Sequence, residues 1–275
     1  MNPYEGRTAL VTGAASGIGL ALSQGLVARG ARVWMTDVDG EAVARAAASV
    51  GAAAEAETLD VRDATAVSDL VGRIDEAHGL DLLFNNAGIG VACESHSTDV
   101  EHYDRVLDVN VRGVTNGVAA AYPRMVARGT GHIVNTASAA GLVPVPLMAA
   151  YAMSKHAVVG LGESLRLEGE IHGVRVSTLC PTAIETSLID AEGPSDLPRP
   201  WRPDLRRYLT RVGGPPRPVA DFAETALDGV ARNRGLIVWP ARARLAVWAN
   251  RLAPPLARWV GRRALRAELE ARPSA

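Results

Sequence analysis

Short apolar, β-branched runs recur along the chain, each closed by glycine or a polar turn and followed by a longer stretch with apolar residues at helical spacing. Residues 7–12 (RTALVT) end in Gly13. From Gly17 to Arg29, Ile18, Leu22 and Leu26 share one helical face, and Gly30 stops it. Residues 32–37 (RVWMTD) form the next expected strand, and the Ala-rich stretch Glu41–Val50 is a good helix by propensity. Further strands are expected near Glu57–Leu59, Leu80–Phe84, His132–Thr136, Val174–Leu179 and Leu236–Val238. Helices are expected at Ala64–His78, Val100–Val126, Ala149–His172 and Ala220–Arg232. Seven strands alternating with helices, most strands apolar on both faces, specify an α/β fold: a doubly wound, seven-stranded parallel sheet in three α/β/α layers. With no internal repeat, residues 1–240 read as one domain.

Two stretches break this rhythm. From Ala183 to Pro218 the chain has little periodicity and carries Pro194, Pro198, Pro200, Pro203, Pro215, Pro216 and Pro218. A connection this long reads as a lid or substrate loop. Residues 241–275 form a basic, partly amphipathic extension. From Leu236 onward eight Arg face only Glu268 and Glu270, a balance of +6, and since the whole chain carries −1 the rest sums to −7. Leu245, Trp248 and Leu252 share one face with Arg244 and Arg251 beside them. Leu256, Trp259 and Val260 cluster after Pro254–Pro255, with Arg263 intruding. Such a segment suits packing on a subunit or over a pocket, the favoured reading, with peripheral contact with an anionic membrane surface as the second.

Composition narrows the classes. Among 275 residues 48% are hydrophobic, too many for a disordered chain. The near-neutral charge lacks the basic excess that nucleic-acid binding needs, so no nucleic-acid partner is expected. Cys93 and Cys180 cannot make a disulfide scaffold, and they read as small core hydrophobes. The six His residues show no metal-ligand spacing, so no metal is expected. Without a basic-then-apolar leader or a run of about 18 apolar residues, a cytoplasmic protein is expected, at most peripheral at a membrane.

Thr12-Gly13-Ala14-Ala15-Ser16-Gly17-Ile18-Gly19 lies between an expected strand and an expected helix. Glycines there allow a tight turn and close approach of a pyrophosphate to the backbone, while the helix start favours an anion. The context is that of a Rossmann-like dinucleotide site. Asp37 ends the second strand, where a carboxylate accepts from both ribose hydroxyls and repels a 2′-phosphate; NAD is therefore expected over NADP. Asp39 fits the cap of the next helix better than Asp37 does.

Tyr151 and Lys155 stand four apart in an expected helix and so project from the same face. An ammonium beside a phenol lowers its pKa from about 10 toward a working value for proton exchange with a hydroxyl or carbonyl. Lys155 is the only Lys among 29 basic residues. A position that keeps Lys on an Arg background calls for a compact point charge with rotatable donors.

These motifs, over roughly Gly6 to Val238, resemble the short-chain dehydrogenase/reductase family. Thr12–Gly19 is similar to its Thr-Gly-x-x-x-Gly-Ile-Gly loop, and Tyr151-Ala152-Met153-Ser154-Lys155 to its Tyr-x-x-x-Lys signature. The resemblance implies cofactor contacts from Gly13, Ser16, Gly17, Ile18, Gly19 and Asp37, and from Asp60 and Val61 at the adenine. It adds Asn86, Ala87 and Gly88 of the Asn85-Asn86-Ala87-Gly88 motif, Tyr151, Lys155, Pro181, Ile184 and Thr186. The family usually has Pro-Gly where this chain has Pro181-Thr182, so Thr182 is carried as a weaker contact.

The resemblance also implies a catalytic set. Ser138, 13 residues before Tyr151, stabilises charge on the substrate oxygen. Tyr151 exchanges the proton, Lys155 tunes Tyr151 and binds the nicotinamide ribose, and Asn110 continues a proton relay through Lys155. The implied activity is NAD-dependent interconversion of a secondary alcohol and a ketone, with oxidation the expected direction. Leu142, Leu147, Met148 and Ile189 fall where the family's substrate pocket lies, pointing to an apolar alcohol or ketone. Trp201 and Tyr208 either line that pocket or pack the lid. A homo-oligomer, dimer or tetramer, is implied through the helices near Val100–Val126 and Ala149–His172. A non-catalytic NAD-binding sensor or scaffold and an NADP-linked ketoacyl reductase are the alternatives; the first has no use for Ser138, Tyr151 and Lys155 together, and Asp37 disfavours the second.

Overall fold

The computed structural model describes residues 2–190, 197 and 201–272. Strands β1 (Thr8–Thr12), β2 (Arg32–Asp37), β3 (Ala54–Thr58), β4 (Leu82–Asn85), β5 (Gly131–Thr136), β6 (Val174–Pro181) and β7 (Leu236–Trp239) form one parallel sheet in the order β3-β2-β1-β4-β5-β6-β7. Strand order reverses between β1 and β4, and there the crevice beyond the strand ends opens.

Alternation along the strands divides the core. Ala9 and Val11 of β1, Val33 and Met35 of β2 and Phe84 of β4 face α1 (Gly17–Val27), α2 (Gly40–Val50) and α9 (Val219–Ala231), meeting Leu22, Leu26, Phe222 and Leu227. Leu10, Trp34, Leu83 and Ile133 face α3 (Ala64–His78), α5 (Gly113–Arg128) and α6 (Ala149–Ile171), meeting Leu70, Val118, Met125 and Leu165. Sheet and helices thus form the expected three layers.

Three elements differ from the sequence expectation. β3 begins at Ala54, ahead of the expected Glu57, because Ala54 pairs with Val33 of β2. As an edge strand it carries Glu55 and Glu57, bound by Arg32 and Arg73, a charged edge that discourages further pairing. The single helix expected at Val100–Val126 is α4 (Val100–Leu107) and α5 joined by a π-helical turn at Asp108–Arg112. The third is the expected loop Ala183–Pro218, which contains a short α7 (Ser187–Asp190) and the nine-residue α8 (Leu205–Gly213). Asp204 caps α8 by accepting from the Arg207 N–H at 2.8 Å, and Gly214, at φ +86°, ends it. Pro194, Pro198 and Pro200 lie outside the described residues.

The basic extension is helical: α10 (Ala243–Leu252) and α11 (Pro254–Glu270), with Pro254 and Pro255 in the first turn, where a missing N–H costs nothing. α11 lies against α8 through Glu268, which is fully buried. Its carboxylate accepts from the Asp204 N–H at 2.9 Å, Arg207 Nη2 at 2.7 Å and Nε at 2.8 Å, and Arg211 Nη1 at 3.4 Å. A buried carboxylate with two guanidinium partners and a backbone donor is satisfied only with the helices docked. Glu268→Ala should therefore free α11 and speed tryptic cleavage after Arg262 or Arg263 by about tenfold or more, read by limited proteolysis and mass spectrometry.

His132 in β5 offers a second test. Its ring is buried and its Nε2 lies 2.9 Å from Ser177 Oγ. The Ser177 hydroxyl donates to the Arg234 carbonyl at 2.7 Å, so Nε2–H is the donor and the ring is neutral. Burial, with Arg175 and Arg166 nearby, pushes its pKa down from 6.5 to about 3. Between these values the unfolded chain binds a proton that the folded chain refuses, so stability is lost as pH drops through that window, by up to about 5 kcal/mol. Urea unfolding of wild type and His132→Asn from neutral pH down to about 4 should show a shallower loss in the variant.

Candidate active site

The turn between β1 and α1 is shaped by contacts that leave its backbone open. Gly13 and Gly17 adopt φ +64° and +54°, the left-handed region that glycine enters freely. A Cβ on Gly13 would sit 2.7 Å from the Ala87 Cα, and one on Gly19 would collide with the Gly13 carbonyl oxygen. The turn is bolted to the end of β4. Thr12 Oγ1 accepts from the N–H groups of Asn86 at 2.9 Å and Ala87 at 3.0 Å, and Asn86 Nδ2 donates to the carbonyls of Thr12 at 3.0 Å and Gly13 at 3.2 Å. Asn85 completes the seam by donating to Asn135 Oδ1 of β5 at 2.9 Å.

One cavity of about 1170 Å³ runs along the carboxyl ends of the strands. Of the expected cofactor residues, Gly13, Ser16, Gly17, Ile18, Asp37, Asp60, Val61, Asn86, Ala87, Gly88, Pro181, Thr182, Ile184 and Thr186 line it, with Ser138, Tyr151 and Lys155. Gly19 and Asn110 stand behind its wall. The Gly13–Gly19 turn, the α1 start and Asp37 have the form a dinucleotide requires: glycines that a Cβ would obstruct, helix-start N–H groups and a carboxylate one strand away. Asp37 Oδ2 accepts from the Ala15 N–H at 3.2 Å, tying the β2 end to the turn. Asp39 caps α2 by accepting from Ala42 N–H at 2.9 Å. Asp60 holds Arg62 through Nε and Nη2, and the guanidinium keeps the Asp60 carboxyl below its ordinary pKa. Thr186 reaches over the turn, its Cγ2 within 3.2 Å of where a Gly17 Cβ would be.

The catalytic candidates converge. Ser138 acts on the Tyr151 phenol and pulls its pKa down, and the Ser138 hydroxyl donates to the Pro181 carbonyl at 3.4 Å. Ser138 Oγ also accepts from the Ala140 N–H at 3.1 Å. Lys155 is buried, with Nζ donating to the Thr136 carbonyl at 2.9 Å and lying 5.5 Å from the centre of the Tyr151 ring. Burial dominates the electrostatics. It raises the Tyr151 pKa, opposed by the Ser138 hydrogen bond, and lowers the Lys155 pKa from 10.5 to about 8. The expected lowering of the phenol's pKa is thus not the net outcome in the protein alone: burial raises it, and Nζ donates to the Thr136 carbonyl. The Cys180 thiol, buried behind Lys155, is pushed up to about 12 and stays neutral.

Asn110 sits on the π-helical turn and is fully buried. Its Oδ1 accepts from the Ile89 N–H at 2.8 Å, and its Nδ2 donates to the Ile89 carbonyl and Ser154 Oγ, both at 3.0 Å. Ser154 Oγ donates in turn to the Tyr151 carbonyl at 2.7 Å. Asn110 therefore braces the loop after β4 against the first turn of α6. Insertion of a π turn, which re-aims one side chain, is a recurrent device at functional sites.

The far part of the cavity is apolar. Met148 and Ile189 line it as expected, whereas Leu142 and Leu147 pack behind it. Tyr208 lines the wall, and Trp201 packs beside Leu147 and under the Arg272 guanidinium. Leu188, Leu205 and Leu209 of α7 and α8 extend the wall, with Val145 from the loop before α6. Sequence reasoning did not single out Ala246, Val247, Ala257, Gly261 and Leu265 of α10 and α11, which close the outer side. Their signal was the inward spacing 243, 247, 250 and 257, 261, 264, 268, hidden because these residues are mostly small.

Comparisons with known proteins agree with this geometry. A family profile described as short chain dehydrogenase matches residues 7–196. The chain is 41% identical over 196 residues to the probable oxidoreductase EphD of Mycobacterium tuberculosis, covering 69% of this chain but only 33% of EphD, so it spans about a third of that relative. It is 37% identical over 232 residues to 2-(R)-hydroxypropyl-CoM dehydrogenase of Xanthobacter autotrophicus, covering 80% of this chain and 88% of that one. A crystal structure of a short-chain dehydrogenase/reductase from Burkholderia phymatum in complex with NAD superposes with a TM-score of 0.80 at 34% identity, over 92% of this chain and 96% of that one. The chain belongs to the short-chain dehydrogenase/reductase family.

Proposed function

We propose that this protein is an NAD-dependent dehydrogenase that interconverts a secondary alcohol and a ketone on an apolar substrate. The observation that carries the reading is the gathering of Ser138, Tyr151 and Lys155 on the wall of the same cavity as the Gly13–Gly19 turn and Asp37. When bound, the nicotinamide accepts or returns the hydride. The glycine turn and the start of α1 would hold its diphosphate, Asp37 the adenosine ribose, and Asp60 and Val61 the adenine.

Ser138 holds the substrate oxygen and stabilises charge developing on it. Tyr151 transfers the proton. Because burial favours the neutral phenol, the resting residue is a proton donor ready for a carbonyl oxygen. For alcohol oxidation the phenol must first lose its proton, which supports a pH-dependent direction. Lys155, titrating near 8, supplies positive charge to the site at neutral pH. Asn110 is a positioning residue that fixes the start of α6, and with it Tyr151. The apolar wall formed by Met148, Ile189, Leu205 and Tyr208 supports an apolar substrate. Leu167 and Ile171 lie exposed near the end of α6, which supports self-association through that helix.

Two outcomes test the reading. Tyr151→Phe should keep NADH binding, read by fluorescence titration, and lose about 10²- to 10⁴-fold in turnover across a panel of secondary alcohols. In wild type the oxidation rate should rise with pH as the phenol ionises, and this rise should vanish in the variant; near-normal oxidation by Tyr151→Phe would refute the mechanism. Asp37→Ala should relax cofactor choice toward NADP by about tenfold to 100-fold in the ratio of kcat/KM values. A wild-type enzyme already preferring NADP would refute the role given to Asp37.

A further inference from the structure

The two C-terminal helices bury their small residues and expose their large ones. Ala243, Ala264 and Glu268 point inward, and Val247, Ala257 and Gly261 wall the cavity. Away from the cavity Leu245 is 72% exposed, Trp248 59%, Leu252 76% and Trp259 53%, and Leu256 and Val260 at the cavity edge are also exposed. Soluble surfaces carry isolated apolar residues, but six on two consecutive helices, two of them Trp, form a patch that calls for a partner. Among the described residues no carboxylate pairs with Arg244, Arg251, Arg258, Arg262, Arg263 or Arg266, and all six are exposed. The Arg263 guanidinium stands over the Trp259 ring at 5.7 Å. Trp259, Arg262, Arg263 and Arg266, with Glu270, also line a shallow cleft of about 500 Å³.

We propose that this face docks on an anionic phospholipid surface, Trp and Leu entering the headgroup boundary and Arg meeting the phosphates. Trp and Leu flanked by Arg is the composition of an interfacial helix. Arg binds phosphate in a fixed fork, so the face is chemically complementary to a headgroup layer. A second copy fits poorly, because a two-fold contact sets this face against itself and brings Arg opposite Arg. The +6 balance of the segment from Leu236 against −7 in the rest of the chain orients the molecule extension-first toward a negative surface. Leu256 and Val260 are both exposed and cavity-lining, so the docking face shares an edge with the cavity. An apolar substrate dissolved in the lipid would reach the site across that edge, a corollary resting on the apolar-substrate reading above.

The experiment is co-sedimentation of the full chain, without substrate, with vesicles of phosphatidylcholine alone or containing roughly 30 mol% phosphatidylglycerol. Binding is expected to the anionic vesicles only, and to be released by about 0.5 M NaCl. The triple variant Arg251→Ser/Arg263→Ser/Arg266→Ser should lose partitioning on the order of 100-fold. Trp248→Ser/Trp259→Ser should abolish it. None of these five side chains lines the cavity, so NADH oxidation with a water-soluble ketone should be unchanged and reports that the variants fold. Absence of binding to anionic vesicles would overturn the proposal. So would sedimentation-velocity data showing a wild-type oligomer that Trp248→Ser/Trp259→Ser dissociates, without vesicle binding. Because the assay contains no substrate, a wrong substrate class leaves it unaffected.

Discussion

The site depends on how the first strand end is held against the fourth. A parallel sheet whose order reverses between β1 and β4 leaves a crevice there, and only a backbone kept open can use it. Thr12 and Asn86 keep it open. One hydroxyl takes two N–H groups of the β4 end, and one carboxamide returns two bonds to carbonyls of the glycine turn. Polar groups that would otherwise be buried without partners satisfy each other across the crevice, and the α1 N–H groups remain available.

Burial then sets the chemistry. Placing a phenol and an ammonium on one helix at the base of this crevice removes both from water, and each is driven toward its neutral form. The Tyr151 phenol is held neutral, while Lys155, brought down to about 8, is the member of the pair that changes charge closer to neutral pH. Positioning comes from behind: Asn110 on its π turn, Ser154 and the Thr136 carbonyl each fix a backbone or side chain that the reacting groups depend on. The result is a site whose side chains are held in place by bonds from behind its wall.

The extension adds a wall to this scaffold. Its small inward residues let two helices approach the cavity closely, and Glu268 locks them to α8 through charge-assisted bonds. What remains outside is a bulky, basic, apolar surface, opposite in sign to the body of the chain. One short segment therefore shapes both the inner wall and the outer face.

The amino-acid pattern by itself determined the seven strands, the layer order, the glycine turn and the placing of Tyr151 and Lys155 on one helix face. Each is a local signal, carried by period, by glycine at a required turn, or by two side chains one helical turn apart. It did not reveal the π turn under Asn110, since no Pro or Gly interrupts the run Asp108–Arg112. It missed α8 because Arg206, Arg207 and Arg211 mask the periodicity, and their carboxylate partners, among them Glu185, Asp190 and Glu268, come from elsewhere. It did not single out the inward face of the extension, where Ala and Gly pack while Leu and Trp face out. Only the tertiary structure decided these points, along with the direction of the Tyr151 shift, because burial and long-range pairing are properties of distant segments brought together.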